Sequence, residues 1–307
     1  MTRGRTRHSA NRHMDSESMQ ENPGTIWLAL RRASELLERA GVDSPGLTAE
    51  VLVAHVLGCQ RSRVLGHIQD PMGSGEYREF ANLVQRRAAG EPLQYVTGNR
   101  EFFGLSFRVT PSVLIPRPET EILVEKALEL ARGRGGAVRF ADVGTGSGCI
   151  AISLAHGAPQ ASGWATDISP EALAVARDNA IRLGVRERIG FVCADLLECF
   201  PEGSVFDLIL SNPPYVSEAD MCDLPVVVRN HEPYRALFGG ESGLDPCRRI
   251  IPQAAMRLVP GGRLLLEIGA GQAPEAAELA ERARLTVDEI ASDLQGISRC
   301  IVAHRKI

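Results

Sequence analysis

From about Ala137 onward, short apolar runs alternate with stretches of helical spacing, and that alternation leaves the chain few folds to choose from. Residues 138–143, 162–166, 189–193, 206–210 and 263–268 read as strands, each short enough to be buried on both faces. Helical patterns lie between them, from Cys149 and over residues 170–183 among others. Strands that alternate with helices build a parallel α/β sheet. Residues 285–290 and 298–303 read as two last strands, an antiparallel pair that closes a seven-stranded sheet.

Ligands of such sheets bind outside the carboxyl ends of the strands, so the residues that follow each strand carry the chemistry. The first strand runs into Asp142-Val143-Gly144-Thr145-Gly146-Ser147-Gly148. Glycines let a backbone approach a ligand, and the helix from Cys149 offers free N–H groups at its start. The pattern is G-x-G-x-G. A dinucleotide fingerprint would need Gly or Ala where Cys149 stands, and a P-loop would need G-K-[ST]. The second strand ends at Asp167, an acid able to accept both hydroxyls of a ribose. The third ends in Ala194-Asp195-Leu196, where an acid can face an adenine amine. A single Asp after a strand is more often a helix cap. Three successive strand ends with a fitting group outweigh that reading.

The fourth strand ends in Ser211-Asn212-Pro213-Pro214-Tyr215. The prolines fix φ, remove two donors and hold Asn212 extended. Their carbonyls stay free to accept. The result is a stiff ledge of acceptors beside a ring, suited to a flat group with two N–H bonds to donate, such as an amide or an exocyclic amine.

At 307 residues the chain is long enough for two domains. Residues 1–24 read as a disordered basic tail, with Arg3, Arg5, Arg7 and Arg12 among small polar residues and no apolar core of a secretory signal. Met14 and Met19 are alternative starts. Residues 25–92 show three amphipathic helices, the first carried by Ile26, Leu30, Ala33, Leu37 and Ala40, the others over 47–57 and 76–89. They form a small helical domain, for substrate recognition or merely as a stabilising cap. Residues 93–118 read as a β-hairpin from Tyr95 through Phe103 to Val109, followed by a connector stiffened by Pro111, Pro116 and Pro118. Phe102, Arg117 and Glu121 are second-rank candidates for a site wall. Hairpin core, surface ion pair and helix-dipole partner are their ordinary roles.

A net charge of −4 leaves no overall electrostatic footprint for nucleic acid. The seven cysteines are scattered without a C-x-x-C pair, which fits a reducing cytoplasm and argues against a zinc site or disulfide framework. No metal is expected, and no apolar run is long enough to span a bilayer.

Taken together, Asp142 to Gly148, Asp167, Asp195 and Asn212 to Tyr215 resemble the class I methyltransferases that use S-adenosylmethionine. The N-P-P-Y tetrapeptide is similar to that of members which methylate planar nitrogen. Leu114-Ile115-Pro116-Arg117-Pro118-Glu119-Thr120-Glu121 resembles the peptide chain release factor glutamine methyltransferases of the HemK type. So do His231-Glu232-Pro233, Ala236-Leu237, Gly239-Gly240 and Gly243-Leu244-Asp245, and, in the helical domain, Ala49-Glu50 with His55-Val56-Leu57-Gly58. The likeness runs from about Thr25 to the C-terminus. The basic tail, Gly269-Ala270-Gly271-Gln272, and Leu196 in place of an aromatic ring over the adenine are departures.

The resemblance implies a Rossmann-like catalytic domain over 119–307. It implies S-adenosylmethionine held by Gly144, Thr145, Gly146, Ser147, Gly148, Asp167, Asp195, Leu196 and Asn212. The substrate would be the glutamine of the Gly-Gly-Gln motif of class-1 release factors, methylated at N5. Asn212, Pro213 and Tyr215 would be catalytic, with Pro214 completing the substrate ledge. Two other readings are a nucleic-acid adenine or cytosine amino-methyltransferase, using the same ledge on a flipped base, and a non-catalytic cofactor-binding scaffold.

Overall fold

The computed structural model describes residues 24–203 and 205–306; most of the expected basic tail, residues 1–23, lies outside them. The chain divides into two units between Thr97 and Gly98. The first is helical: α1 Ile26–Arg39, α2 Pro45–Val56, α3 Arg61–Gly66, α4 Ser74–Ala88 and α5 Leu93–Thr97. Thr25 caps α1 by accepting from Leu28 N at 3.3 Å. Ile26, Ala29, Ala33 and Leu37 form the buried stripe of that helix. With Leu52, Tyr77 and Phe80, Leu37 fills the centre of the unit. Over residues 25–92 three helices were expected and, among the described residues, four form, because α3 is too short to display a helical period; α5 falls in the stretch expected as hairpin. The segment 95–97 is a turn of helix that buries Tyr95 and Val96, and is not hairpin as its β-branched and aromatic residues imply. The hairpin is shorter, β1 Asn99–Phe102 and β2 Leu105–Arg108, and turns at Phe103-Gly104 with φ of 51° and 71°. Two successive positive φ values make the tight turn that matches strand twist.

After the prolines comes α6 Thr120–Gly133, then β3 Val138–Val143, α7 Cys149–Gly157, β4 Ala161–Asp167, α8 Pro170–Arg182, β5 Ile189–Cys193, β6 Phe206–Ser211, α9 Val226–His231, α10 Asp245–Arg257, β7 Leu258–Glu267, α11 Ala273–Arg282, β8 Leu285–Ser292 and β9 Ser298–Arg305. The seven strands lie in the order β5-β4-β3-β6-β7-β9-β8, with β9 antiparallel to both neighbours. The expected seven-stranded Rossmann-like α/β fold is therefore the one found. Helices α6 and α7 bury Leu123, Ile152 and Leu154 on one face. On the other face α10 and α11 bury Ile250, Ile251 and Ala276. β7 starts earlier than the strand read over 263–268, and Val259-Pro260-Gly261-Gly262 is absorbed into it as an irregularity, where the pairing jumps from Phe206↔Leu258 to Leu208↔Arg263. Among the described residues no helix is long and apolar enough to cross a membrane, and all seven cysteines are free.

The chain runs outward from β3 to β4 and β5, then returns to place β6 on the other side of β3. That reversal is a topological switch point, and it opens a crevice between the carboxyl ends of β3 and β6.

Candidate active site

A cleft of about 760 Å³ occupies that crevice. The end of β3 forms its floor. Gly144, Gly146 and Gly148 sit at φ of 71°, 54° and 83°, which L side chains rarely adopt. Asp142, fully buried beneath the loop, accepts from Thr145 Oγ1 at 2.6 Å and from Ala151 N at 3.2 Å, and so ties the loop to the first turn of α7. Burial pushes its carboxyl up to about 7. Gly144, Thr145, Gly146 and Ser147 line the cleft, and Gly148 does not. A Cβ at Gly148 would stand 2.8 Å from Ile152 Cδ1, so this glycine serves the packing of α7. Nothing lies within 4 Å of the Cβ positions of Gly144 and Gly146, where the cradle is open.

Asp167 ends β4. Its Oδ2 accepts from Gly146 N and its Oδ1 from Ser169 N, both at 2.9 Å. Burial holds its carboxyl above the usual range against these backbone donors. Asp195 and Leu196 line the cleft past β5. Asp195 is paired with Arg249 of α10 at 2.7 Å in an exposed ion pair, an interaction of little cost to break. Leu196 has a φ of 54°, a strained value for a branched-chain residue at the edge of a binding cleft. Asn179 of α8, buried, donates to the carbonyls of Ser147 and Arg108, each at 2.9 Å, and holds the glycine loop to the hairpin.

The ledge follows β6. Ser211 Oγ donates to the Val143 carbonyl at 2.8 Å and fastens the ends of the two strands together. Asn212, Pro213 and Pro214 line the cleft. Asn212 Nδ2 donates to Thr120 Oγ1 at 3.0 Å, from the first residue of α6. No donor among the described residues reaches Asn212 Oδ1 or the Pro213 carbonyl.

The back of the ledge is packed without slack. A Cβ at Gly239 would stand 2.7 Å from the carbonyl oxygens of Pro214 and Gly243, and one at Gly243 would stand 2.3 Å from that of Tyr215. Gln272 bridges the same region, donating from Nε2 to the Tyr215 carbonyl at 3.0 Å and accepting from Gly269 N at 2.8 Å. The unusual Gly269-Ala270-Gly271-Gln272 segment is thus a clamp on the ledge. Gly239→Ala will displace the Pro214 carbonyl and lower turnover by roughly 10²-fold, as a misplacement of about 1 Å does in a positioned site. Steady-state kinetics on the folded variant would check it, and unchanged turnover would show that the ledge tolerates the shift.

Some expected site residues lie elsewhere. Tyr215 does not line the cleft. Its ring lies against Gly269, and burial pushes its hydroxyl up to about 12. Phe102 is in the hydrophobic core, edge-on to Phe107. Glu121 accepts from Phe103 N at 2.8 Å and braces the hairpin turn. Both fill their ordinary roles, as hairpin core and helix-start acid. Arg117 does line the cleft, and it pairs at 2.6 Å with the buried Glu232, whose Oε2 accepts from Ile115 N. Beyond it the cleft wall carries Tyr234 and Phe238, stacked 5.1 Å apart. Sequence reading passed over Thr120, Asn179, Arg249 and Gln272, because each meets its partner only across a long stretch of chain.

The donor set fits a nucleoside with a charged tail: an open glycine cradle beside an acid able to take ribose hydroxyls, and acceptors across the cleft. Comparison with known proteins gives the same picture. The model of the PrmC N-terminal domain matches residues 29–98, and that of the methyltransferase small domain matches residues 119–229. A release factor glutamine methyltransferase of Nitratidesulfovibrio vulgaris is 43% identical over 285 residues, covering 92% of this chain and 96% of its own length. One from Bradyrhizobium diazoefficiens is 43% identical over 284 residues, covering 92% and 95%. Among solved structures, a methyltransferase from Pyrococcus furiosus superposes with a TM-score of 0.52 at 18% identity, over 74% of this chain and 100% of that one, a likeness of fold alone.

Proposed function

The chain belongs to the release factor glutamine methyltransferases, which take their methyl group from S-adenosylmethionine, and from that premise we propose that it methylates N5 of the glutamine in the Gly-Gly-Gln motif of class-1 release factors. One observation carries the finer reading. Asn212 Oδ1 and the Pro213 carbonyl are two acceptors on one ledge, both without a protein donor among the described residues. A primary amide has two N–H bonds to match them.

An amide nitrogen is a poor nucleophile, because its lone pair is delocalised into the carbonyl. The work of the site is therefore positioning and electrostatics. When bound, S-adenosylmethionine supplies an electrophilic methyl carbon and a sulfur that leaves with the electron pair of the C–S bond. Gly144 to Ser147 and Asp167 are the residues to hold it, with Asp195 and Leu196 at the far end of the cleft. Asn212 Oδ1 and the Pro213 carbonyl accept hydrogen bonds from the two amide N–H groups and turn the nitrogen lone pair toward the cofactor side of the cleft; as the N–C bond forms and the C–S bond breaks, the nitrogen gives up one of these protons to water. Tyr215 supports the ledge from behind, a change from the catalytic place the resemblance implies. Residues 25–92 serve substrate recognition in this reading, and the seven free cysteines accord with a cytoplasmic enzyme.

A nucleic-acid amine could use the same two acceptors, but the net charge of −4 gives such a partner little attraction. Labelled S-adenosylmethionine, incubated with purified enzyme and release factor and followed by peptide mass spectrometry, tests the proposal. One added methyl on the Gly-Gly-Gln glutamine is the expected result. Label on DNA or RNA and none on the release factor would overturn it.

A further inference from the structure

Beside the ledge the cleft carries an aromatic surface that the methyl-transfer step does not use. Tyr234 lines the cleft and is 58% exposed. Its ring stacks on that of Phe238, with centroids 5.1 Å apart and planes 24° from parallel. The pair is held firmly. Tyr234–Ala236 is a single 3₁₀ turn, closed by Phe238 N donating to the Tyr234 carbonyl at 3.0 Å. Before the turn, buried Glu232 accepts from Arg117 and from Ile115 N. After it, Leu237 is buried, and its carbonyl accepts from Val216 N at 2.9 Å. Gly239 N donates to the Val216 carbonyl at 2.8 Å, so Phe238 is bridged to Val216. Val216 directly follows the ledge, and Gly239 packs against the Pro214 carbonyl. Ledge and rings thus share one rigid frame.

We propose that Tyr234, backed by Phe238, is the platform for the main chain that carries the substrate glutamine, and that it selects glycine next to that glutamine. The inference rests on the reading of the ledge as the seat of the glutamine amide. With the amide on the ledge, the substrate backbone lies a side-chain length away, at the cleft wall where the rings stand. A peptide group is flat, and it gains dispersion from a ring only when its plane comes within about 3.5–4.0 Å. Glycine has no Cβ to hold the plane off. Two successive glycines let two peptide planes lie flush, whereas a methyl group directed at the ring lifts them away. Tyr234 cannot yield, because Phe238 stands behind it. The cofactor has its own residues at other strand ends, in the glycine loop, at Asp167 and at Asp195, and makes no demand on this pair. A ring placed only for packing would be buried, and Tyr234 is not.

The experiment compares wild type, Tyr234→Phe, Tyr234→Leu and Tyr234→Ala on two release factors. One has its natural Gly-Gly-Gln motif, and the other has Ala in place of the glycine next to the glutamine. Steady-state kcat and KM are measured, with calorimetric binding of S-adenosylmethionine alongside. Tyr234→Ala and Tyr234→Leu should raise KM for the natural factor roughly tenfold or more, as loss of an interface tyrosine does. Their kcat at saturation should stay within about threefold of wild type, and cofactor affinity should not change. Tyr234→Phe keeps the flat face and should restore KM. The preference of wild type for the natural factor over the Ala-containing one, in kcat/KM, should shrink roughly tenfold in Tyr234→Ala, because the ring that excludes the methyl group is gone. A role in packing alone would lower both substrates equally. An unchanged preference, a Leu variant as good as Phe, or weakened cofactor binding in Tyr234→Ala would each overturn the inference. If the Ala variant does not fold, the contrast between Leu and Phe still decides. Wild-type enzyme inactive on the natural factor would overturn the proposed substrate and the platform with it, a result visible before any variant is compared.

Discussion

An Asn212→Ala enzyme will turn over roughly 10²–10³-fold more slowly than wild type, the usual consequence of removing one preorganised polar group from a site that acts by electrostatics. The substitution leaves the rest of the ledge in place. Pro213 and Pro214 keep their fixed φ, Gln272 still holds the Tyr215 carbonyl, and Ser211 still fastens β6 to β3. Thr120 Oγ1 loses the donor that Asn212 Nδ2 supplied. What disappears is one of two acceptors for the substrate amide. The nitrogen then rotates about its remaining hydrogen bond, and its lone pair is no longer aimed. Single-turnover methyl transfer measures the step directly, and calorimetry on S-adenosylmethionine should show an affinity close to wild type. Near-normal single-turnover rates would remove Asn212 from the mechanism.

Asp167→Ala is expected to divide the same two readouts the other way. Its carboxylate has one backbone donor on each oxygen, from Gly146 N and Ser169 N, and each oxygen has a further lone pair for a ribose hydroxyl. Hydrogen bonds to a charged group are worth about 1.5–3 kcal/mol each, so loss of two ribose contacts weakens the cofactor by roughly 10²–10³-fold or more. The free Gly146 N–H adds to the loss by loosening the cradle. At saturating S-adenosylmethionine, kcat should remain within about tenfold of wild type, since the ledge across the cleft is untouched. The carboxyl lies above its ordinary range because it is buried. The sign for binding follows: the charged acceptor is present above its folded pKa and is lost as pH falls through it, so wild-type affinity declines toward acid and the Ala variant shows no such decline. Unchanged affinity in Asp167→Ala would place the ribose elsewhere.

The strand ends were readable because each is a local signal: a short apolar run, then glycines, an acid or two prolines. What surrounds them was not readable, because it is assembled across the fold. Thr120 and Asn212 are 92 residues apart, Gln272 and Tyr215 57 apart, Arg249 and Asp195 54 apart. No periodicity links such pairs. Arg117 and Glu232 each lie in a segment that carries the family likeness, and only the fold shows that the two segments are joined by an ion pair. Tyr215 misled for a related reason. An aromatic ring after two prolines implies a wall facing the ligand, yet Gly269 leaves space behind the ledge and the ring fills it. The hairpin misled because Tyr95 and Val96 have strand-like side chains and are buried on a single helical turn. Phe102 and Glu121 went the other way, to the bland roles their types most often fill.

The order in which the sheet must be completed has a consequence for how the enzyme is made. Strand β9, Ser298–Arg305, is interior, between β7 and β8. On the ribosome, β7 and β8 therefore emerge before the strand that separates them. Until it arrives β7 is an open edge, with unpaired backbone groups and apolar Leu264 to Leu266 along it. The ledge on β6 lies next to that edge. Such a chain completes the pairing of β7 only after β8 has been made, so the sheet beside the ledge closes later than the strand order along the chain would give.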